Sequence, residues 1–184
     1  MMSRTFHGCV ALSVLFAMSV AATAPLHAAE PPAIQKIKVD GSIRTYQVGN
    51  VAVAGQPSPQ GFRDLKKQGF TTIISLRHPD EERFDQEALC EELGLEFVRL
   101  VISSPNDLNP KLAKRCSELM SQADQDSKVL LHCAAGARAG AAWVVHRVLQ
   151  EQQDVDKAFA EAKQMGLAVK ELKAAAKQCI DAKK

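Results

Sequence analysis

Lys128-Val129-Leu130-Leu131-His132-Cys133-Ala134-Ala135-Gly136-Ala137-Arg138-Ala139-Gly140-Ala141-Ala142-Trp143 is the stretch that decides the reading of this chain. Lys128 to His132 is an apolar run of strand length, so it predicts a buried strand. The small residues after it predict a tight loop, and Ala139 to Gln150 a helix. Cys133 then sits at a strand-to-helix junction, where backbone N–H groups and a helix dipole favour a thiolate. Those N–H groups, from Ala134, Ala135, Gly136 and Ala137, also form a cradle for an oxyanion. Arg138 closes the loop with a fork suited to two oxygens of phosphate or sulfate. A nucleophile and an anion cradle within six residues point to covalent catalysis on such a group. The bland alternative, a packed cysteine beside an exposed arginine, needs no Gly-Ala-Arg loop. His132 is expected to stiffen the loop rather than to move protons.

Reading outward, Gly55-Gln56-Pro57 leads into Ser58-Pro59-Gln60-Gly61-Phe62, and Phe70 to Leu76 forms a second apolar strand that runs into Arg77. Acids follow at Asp80, Glu81 and Glu82. Together with the His-Cys loop, this resembles the bacterial beta-lactamase-hydrolase-like phosphatases, a cysteine-dependent family related to tyrosine and dual-specificity phosphatases. Four residues separate Cys133 from Arg138, as in that family's loop, which often reads His-Cys-Arg-Ser-Gly-Thr-Arg-Ser; most cysteine-dependent phosphatases have five. Rhodanese sulfurtransferases share the four-residue loop, but their Gly-His-Ile-Pro-Gly-Ala hallmark is absent. The resemblance covers roughly residues 44 to 150. Two positions depart from it: Ala134 stands where the family often has Arg, and Ala139 where it often has Ser. The missing hydroxyl would slow breakdown of a phosphoenzyme.

The resemblance implies an α/β fold of the protein-tyrosine-phosphatase type, a mostly parallel central sheet with helices on both faces. It also implies a phosphoric monoester hydrolase working through a thiophosphate on Cys133, with no metal or other cofactor. Substrate contacts are expected from the loop backbone, Arg138 and Arg77, although Arg77 also suits a bracing role. The general acid is expected to be Asp107, on the loop after the strand that starts at Glu96, with Asp80 as second candidate. Pro105-Asn106-Asp107 is equally ordinary turn and capping chemistry, and Asp80 suits a helix N-terminus. Two alternatives to hydrolysis stay open: a persulfide-forming sulfurtransferase, which needs no acid, and a non-catalytic phosphate binder.

Arg4, an apolar run from about Val10 to Ala24 and small residues at Ala28 and Ala29, with no acid before Glu30, have the layout of a signal peptide over residues 1–29. The run is short for a membrane span. The expected destination is periplasmic or secreted, with no stable membrane association after cleavage. Residues 30–184 then form one phosphatase-like domain. Loss of the leader removes one cation, Arg4, and no acid, so the formal charge falls from +2 to +1. That balance gives no case for nucleic acid, and one Trp with one Tyr offers no stacking platform. The expected partner is a phosphorylated protein or a small phosphate ester. Cys90, Cys116, Cys133 and Cys179 remain; an oxidising compartment invites disulfides, while helical spacing at Cys90 and Cys116 suits simple packing. A bond from Cys133 to another cysteine would switch activity off.

The remaining elements read as strands Ile34 to Val39 and Ile43 to Val48 around an Asp40-Gly41 turn, and a short strand Val51 to Ala54. A helix capped by Ser58 runs to Gln68, and another spans Pro79 to Leu93. A strand covers Glu96 to Ile102, and a helix capped by Asn109 runs to about Ala123. Trp143 and His146 are expected to be packing or surface residues. A terminal helical pair spans Val155 to Gln164 and Val169 to Ala182. The carboxyl ends of the parallel strands should carry the function.

Overall fold

The computed structural model describes residues 32–183; the expected signal peptide lies outside them. Strands β1 (Gln35–Lys36), β2 (Thr45–Val48), β3 (Val51–Ala54), β4 (Phe70–Ser75), β5 (Glu96–Arg99) and β6 (Lys128–His132) form one sheet in the order β1-β2-β3-β6-β4-β5. β3, β6, β4 and β5 run parallel, and β1 and β2 add antiparallel at the β3 edge. The expected first hairpin pairs as predicted but over two residues only, because Val39 to Ser42 turn back to meet Ser58: the Ser58 N–H donates to the Asp40 carbonyl at 2.9 Å.

Helices α1 (Pro59–Lys67) and α2 (Gln86–Leu93) cover one face of the sheet, and α3 (Pro110–Met120), α4 (Ala137–Leu149), α5 (Val155–Met165) and α6 (Lys170–Asp181) the other. The alternation of the strands assigns the faces. Ala52, Ala54, Ile73 and Leu130 pack toward Phe62, Leu65 and Leu89; Val51, Val53, Ile74, Val129 and Leu131 pack toward the four-helix side. Helix α4 is the spine of that side. From Ala139 to Arg147 every residue is buried, as expected of a helix enclosed by neighbours all round. Small residues let those neighbours approach: a Cβ on Gly140 would lie 3.3 Å from the Ala162 carbonyl oxygen. Enlarging Ala141 or Ala142 would overpack this core at a cost of about 1–3 kcal/mol.

One element differs from expectation in a way that matters. The helix predicted over Pro79 to Leu93 is broken into a 3-10 turn, Pro79–Glu81, and α2. The turn carries a capping box in which the Glu81 carboxylate accepts from the His78 N–H at 3.1 Å. Asp85 then caps a new helix, accepting from the Ala88 N–H at 3.0 Å. Two competing local caps thus outweigh the apolar periodicity. The four cysteines of the described residues are buried and free.

Candidate active site

Cys133 follows β6 directly, and α4 begins four residues later, two earlier than the sequence suggested. The loop is held chiefly by backbone. The Cys133 N–H donates to the Ala54 carbonyl at 3.3 Å, the Leu76 N–H to the His132 carbonyl at 2.9 Å, and the Gln56 N–H to the Ala134 carbonyl at 3.1 Å. The Gly-Gln-Pro segment after β3 is therefore one wall of the loop. Gly136 makes the turn at φ +95°, where a Cβ would lie 2.0 Å from the Met165 carbonyl oxygen; only glycine fits. Its N–H donates to the Cys133 sulfur at 3.2 Å. The first N–H groups of α4, from Ala137 onward, have no carbonyl partner inside the helix, and the positive end of its dipole lies at this loop.

Arg138 lies on the first turn of α4. Its Nη1 donates to the carbonyls of Ile102 and Leu76 at 2.9 and 3.3 Å and to Glu81 Oε1 at 2.8 Å; its Nη2 donates to Glu81 Oε2 at 2.6 Å. Glu81 thus clamps the fork from one side. The clamp raises the Arg138 pKa, with the Cys133 sulfur close enough to contribute. Hydrogen bonding to Arg138 holds the Glu81 carboxyl down at about 2. Arg77 is buried and braces the same turn, donating to Gln56 Oε1 at 2.6 Å and to the Glu81 carbonyl. Of its two expected roles, bracing is the one these bonds describe. Glu81 was not singled out from the sequence. Its signals were its spacing of four from Arg77 and the Pro79 that starts the turn.

His132 is fully buried, edge-on to Phe62 with centroids 6.0 Å apart. Neither ring nitrogen makes a hydrogen bond of normal geometry among the described residues. Burial pushes its pKa down to about 3, against a weak opposing pull from the Cys133 backbone. It is a neutral packing residue directly before Cys133.

The two candidate acids stand differently. Asp107 Oδ2 accepts from the Ser103 and Ser104 N–H groups at 2.9 and 2.6 Å, closing the turn Pro105–Asp107. These bonds lower its pKa, which keeps the proton off. Asp80 is exposed, 3.3 Å from His78 Nδ1. Ala139, where the resemblance expects a hydroxyl, is fully buried. No group of three or more His, Cys, Asp and Glu side chains that could hold a metal occurs among the described residues.

Beside the loop lies an open cleft of about 580 Å³, bordered by Ala134, Gln56 and Arg77 on the side of the Cys133 loop. Its outer walls come from Ile43, Pro57, Pro59, Arg83 and Phe84. Trp143, at the middle of α4, and His146 and Arg147, toward its far end, are buried.

A family model described as "DSP-PTPase phosphatase fused to NAD+ Kinase" matches residues 32–182. A curated beta-lactamase hydrolase-like protein of Xylella fastidiosa (strain Temecula1) is 28% identical over 114 residues, 58% of this chain and 25% of the relative. The chain thus spans about a quarter of the curated relatives it matches. Among solved structures, P. aeruginosa TpbA, a Cys-to-Ser form in complex with pTyr, superposes with TM-score 0.65 at 14% identity, covering 84% of this chain and 97% of that one. A DUF442 protein from Shewanella putrefaciens CN-32 gives TM-score 0.60 at 21% identity, covering 78% and 91%. The fold is that of the protein-tyrosine-phosphatase-like enzymes, as the sequence suggested.

Proposed function

The chain belongs to the DSP-PTPase phosphatase family, and on that premise we propose that it hydrolyses phosphate monoesters through a covalent intermediate on Cys133. The observation that carries this reading is the Cys133–Gly136–Arg138 arrangement at the start of α4, with Glu81 fixing the guanidinium. The Cys133 sulfur attacks phosphorus in line, and the S–P bond forms as the ester P–O bond breaks. The leaving oxygen departs with the bonding pair. Loop N–H groups and Arg138 stabilise the equatorial oxygens, and this stabilisation lowers the barrier most in such chemistry. Water then attacks phosphorus, releasing inorganic phosphate and restoring the thiolate.

Leaving-group protonation is not drawn from Asp107. Asp107 is pinned as an ionised turn cap, so we assign it to the turn and leave the first step to the acidity of the leaving group. Such an enzyme favours aryl over alkyl esters. The pTyr found with TpbA is of that kind. The signal peptide over residues 1–29 and a periplasmic or secreted destination belong to the same proposal on sequence grounds; the N-terminal mass of exported protein tests them.

The experiment is steady-state hydrolysis of phenyl phosphate by reduced, chelator-treated protein beside Cys133→Ser. Turnover lost in the variant and unaffected by chelator is expected. Turnover that survives Cys133→Ser, or thiosulfate-to-cyanide transfer in its place, would overturn the reading.

A further inference from the structure

The cleft beside the loop has two characters that the hydrolysis of a bare phosphate does not use. Its walls are apolar: Pro57, Pro59 and Phe84 line it, and Ile43, 71% exposed, stands at its edge. The cleft also carries a cation. Arg83 is exposed and has no carboxylate or hydrogen-bond partner among the described residues, whereas its neighbours Arg77 and Arg99 both reach carboxylates.

The geometry explains why the space is open. Ala134, directly after the nucleophile, borders the cleft and offers only a methyl group. Gly41 abuts Ser58 so closely that a Cβ would lie 2.3 Å from its nitrogen, which fixes the far wall. Phe84 is held edge-on to Phe62, with centroids 5.8 Å apart. A volume of about 580 Å³ exceeds what a phosphoryl group needs and falls in the range of small-molecule sites. Whatever hangs from a phosphate bound over Cys133 has this cleft next to it.

Resting on the phosphatase reading, we propose that the cleft takes the aromatic leaving group of a phosphate ester that bears a second negative charge, and that Arg83 reads that charge. The ring packs against Phe84 and the prolines while the phosphate sits in the loop. The second anion meets Arg83 at the rim. Because Arg83 is solvated, its contribution is that of an exposed ion pair, on the order of two- to fivefold in affinity, and it fades with salt.

Binding and turnover separate the two levels of the claim. Calorimetry on full-length Cys133→Ser compares inorganic phosphate, phenyl phosphate and 4-carboxyphenyl phosphate at low salt. The expected order is carboxyphenyl tightest, then phenyl, then inorganic phosphate. In Cys133→Ser carrying Arg83→Gln the carboxyphenyl-to-phenyl ratio falls toward one, and in the same protein carrying Arg115→Gln on α3, which also removes one charge, it persists. Equal affinity for all three ligands, or a carboxylate preference that survives Arg83→Gln, overturns the proposal. Wild-type kcat/KM on the two esters is read in parallel. Selective, Arg83-dependent binding with no turnover removes the enzymatic reading and keeps the cleft; turnover without selectivity does the reverse. Phosphotyrosyl peptides with an acidic or an amide residue beside the phosphotyrosine form a second pair. A larger Arg83-dependent ratio in that pair assigns the second charge to a peptide, and a larger one in the carboxyphenyl pair assigns it to a small ester.

Discussion

Helix α4 carries an arginine near each end, and the two are used in opposite ways. Arg147 is fully buried among protein partners: it donates to Glu161 from Nε and Nη2 at 3.0 and 2.9 Å and to Glu151 from Nη1. Trp143 Nε1 donates to the same Glu161 at 2.9 Å, and His146 Nε2 lies 3.0 Å from Glu151. Each carboxylate is thus shared, and the cluster fastens α4 to α5. Arg138 instead is held by Glu81 and two backbone carbonyls, with the Cys133 sulfur close by. A buried charge surrounded by its own counterions is structural; on the proposed reading, one anchored beside the Cys133 sulfur is placed for an anion from outside.

The largest test of this contrast exchanges its two ends. Arg138→Ala should lower kcat/KM by at least about 10²–10³-fold, the loss seen when a main oxyanion donor goes, with a smaller loss of stability than Arg147→Ala. Arg147→Ala should leave Glu151 and Glu161 without their cation and cost about 3–5 kcal/mol of stability, while the protein that stays folded turns over close to wild type. If both substitutions act mainly on stability, the contrast fails.

Glu81→Gln sharpens it. The amide keeps the size but loses the bidentate charge, so Arg138 is held less firmly, chiefly by the Ile102 and Leu76 carbonyls. A fall in kcat of up to about 10²-fold is expected from such misplacement, with a smaller change in KM. A loss of stability with kcat unchanged would make Glu81 merely structural.

Acid should destabilise the protein through His132 and Glu81. His132 takes up a proton near 6.5 when unfolded but only near 3 when folded, and Glu81 near 4.5 against about 2. Both folded pKa values are depressed, so the unfolded chain binds more protons across the gap and stability falls as pH drops from about 6.5 toward 2. Urea midpoints against pH check this, and His132→Asn should flatten the part above pH 4.5. A wild-type midpoint constant down to pH 4 would contradict it.

The smallest effect is expected at Asp107. Asp107→Asn should lower kcat on aryl phosphates less than about tenfold, short of the ~10²–10⁴-fold contribution of a working general acid. A larger loss, confined to esters with poor leaving groups, would return Asp107 to the chemistry.

What the sequence made legible was local. The apolar run Lys128 to His132, the Ser58 and Asn109 caps with proline behind each, and the glycines ending α2 and α5 have the same meaning in any context, and the boundaries they mark fell within a few residues of expectation, whereas α2 starts seven residues later than its apolar periodicity suggested. Cys133 and Arg138 were readable because loop chemistry packs them into six residues. Glu81 was hidden among three consecutive acids inside an apparently continuous helix; its role depends on a partner 57 positions away. The Arg147 cluster left only its i,i+4 spacing to Glu151 as a trace, since Glu161 comes from another helix. Arg83 and its cleft needed segments 41–59 and 77–84 to meet, which no periodicity reports.

The most direct test of the central claim is to trap the intermediate. Reduced wild-type protein mixed with an aryl phosphate, quenched in acid within one turnover and digested, should yield the Cys133 peptide heavier by one phosphoryl group, and Cys133→Ser under the same conditions should yield none. Full-rate turnover with no such adduct, or with the adduct on another residue, would contradict the account.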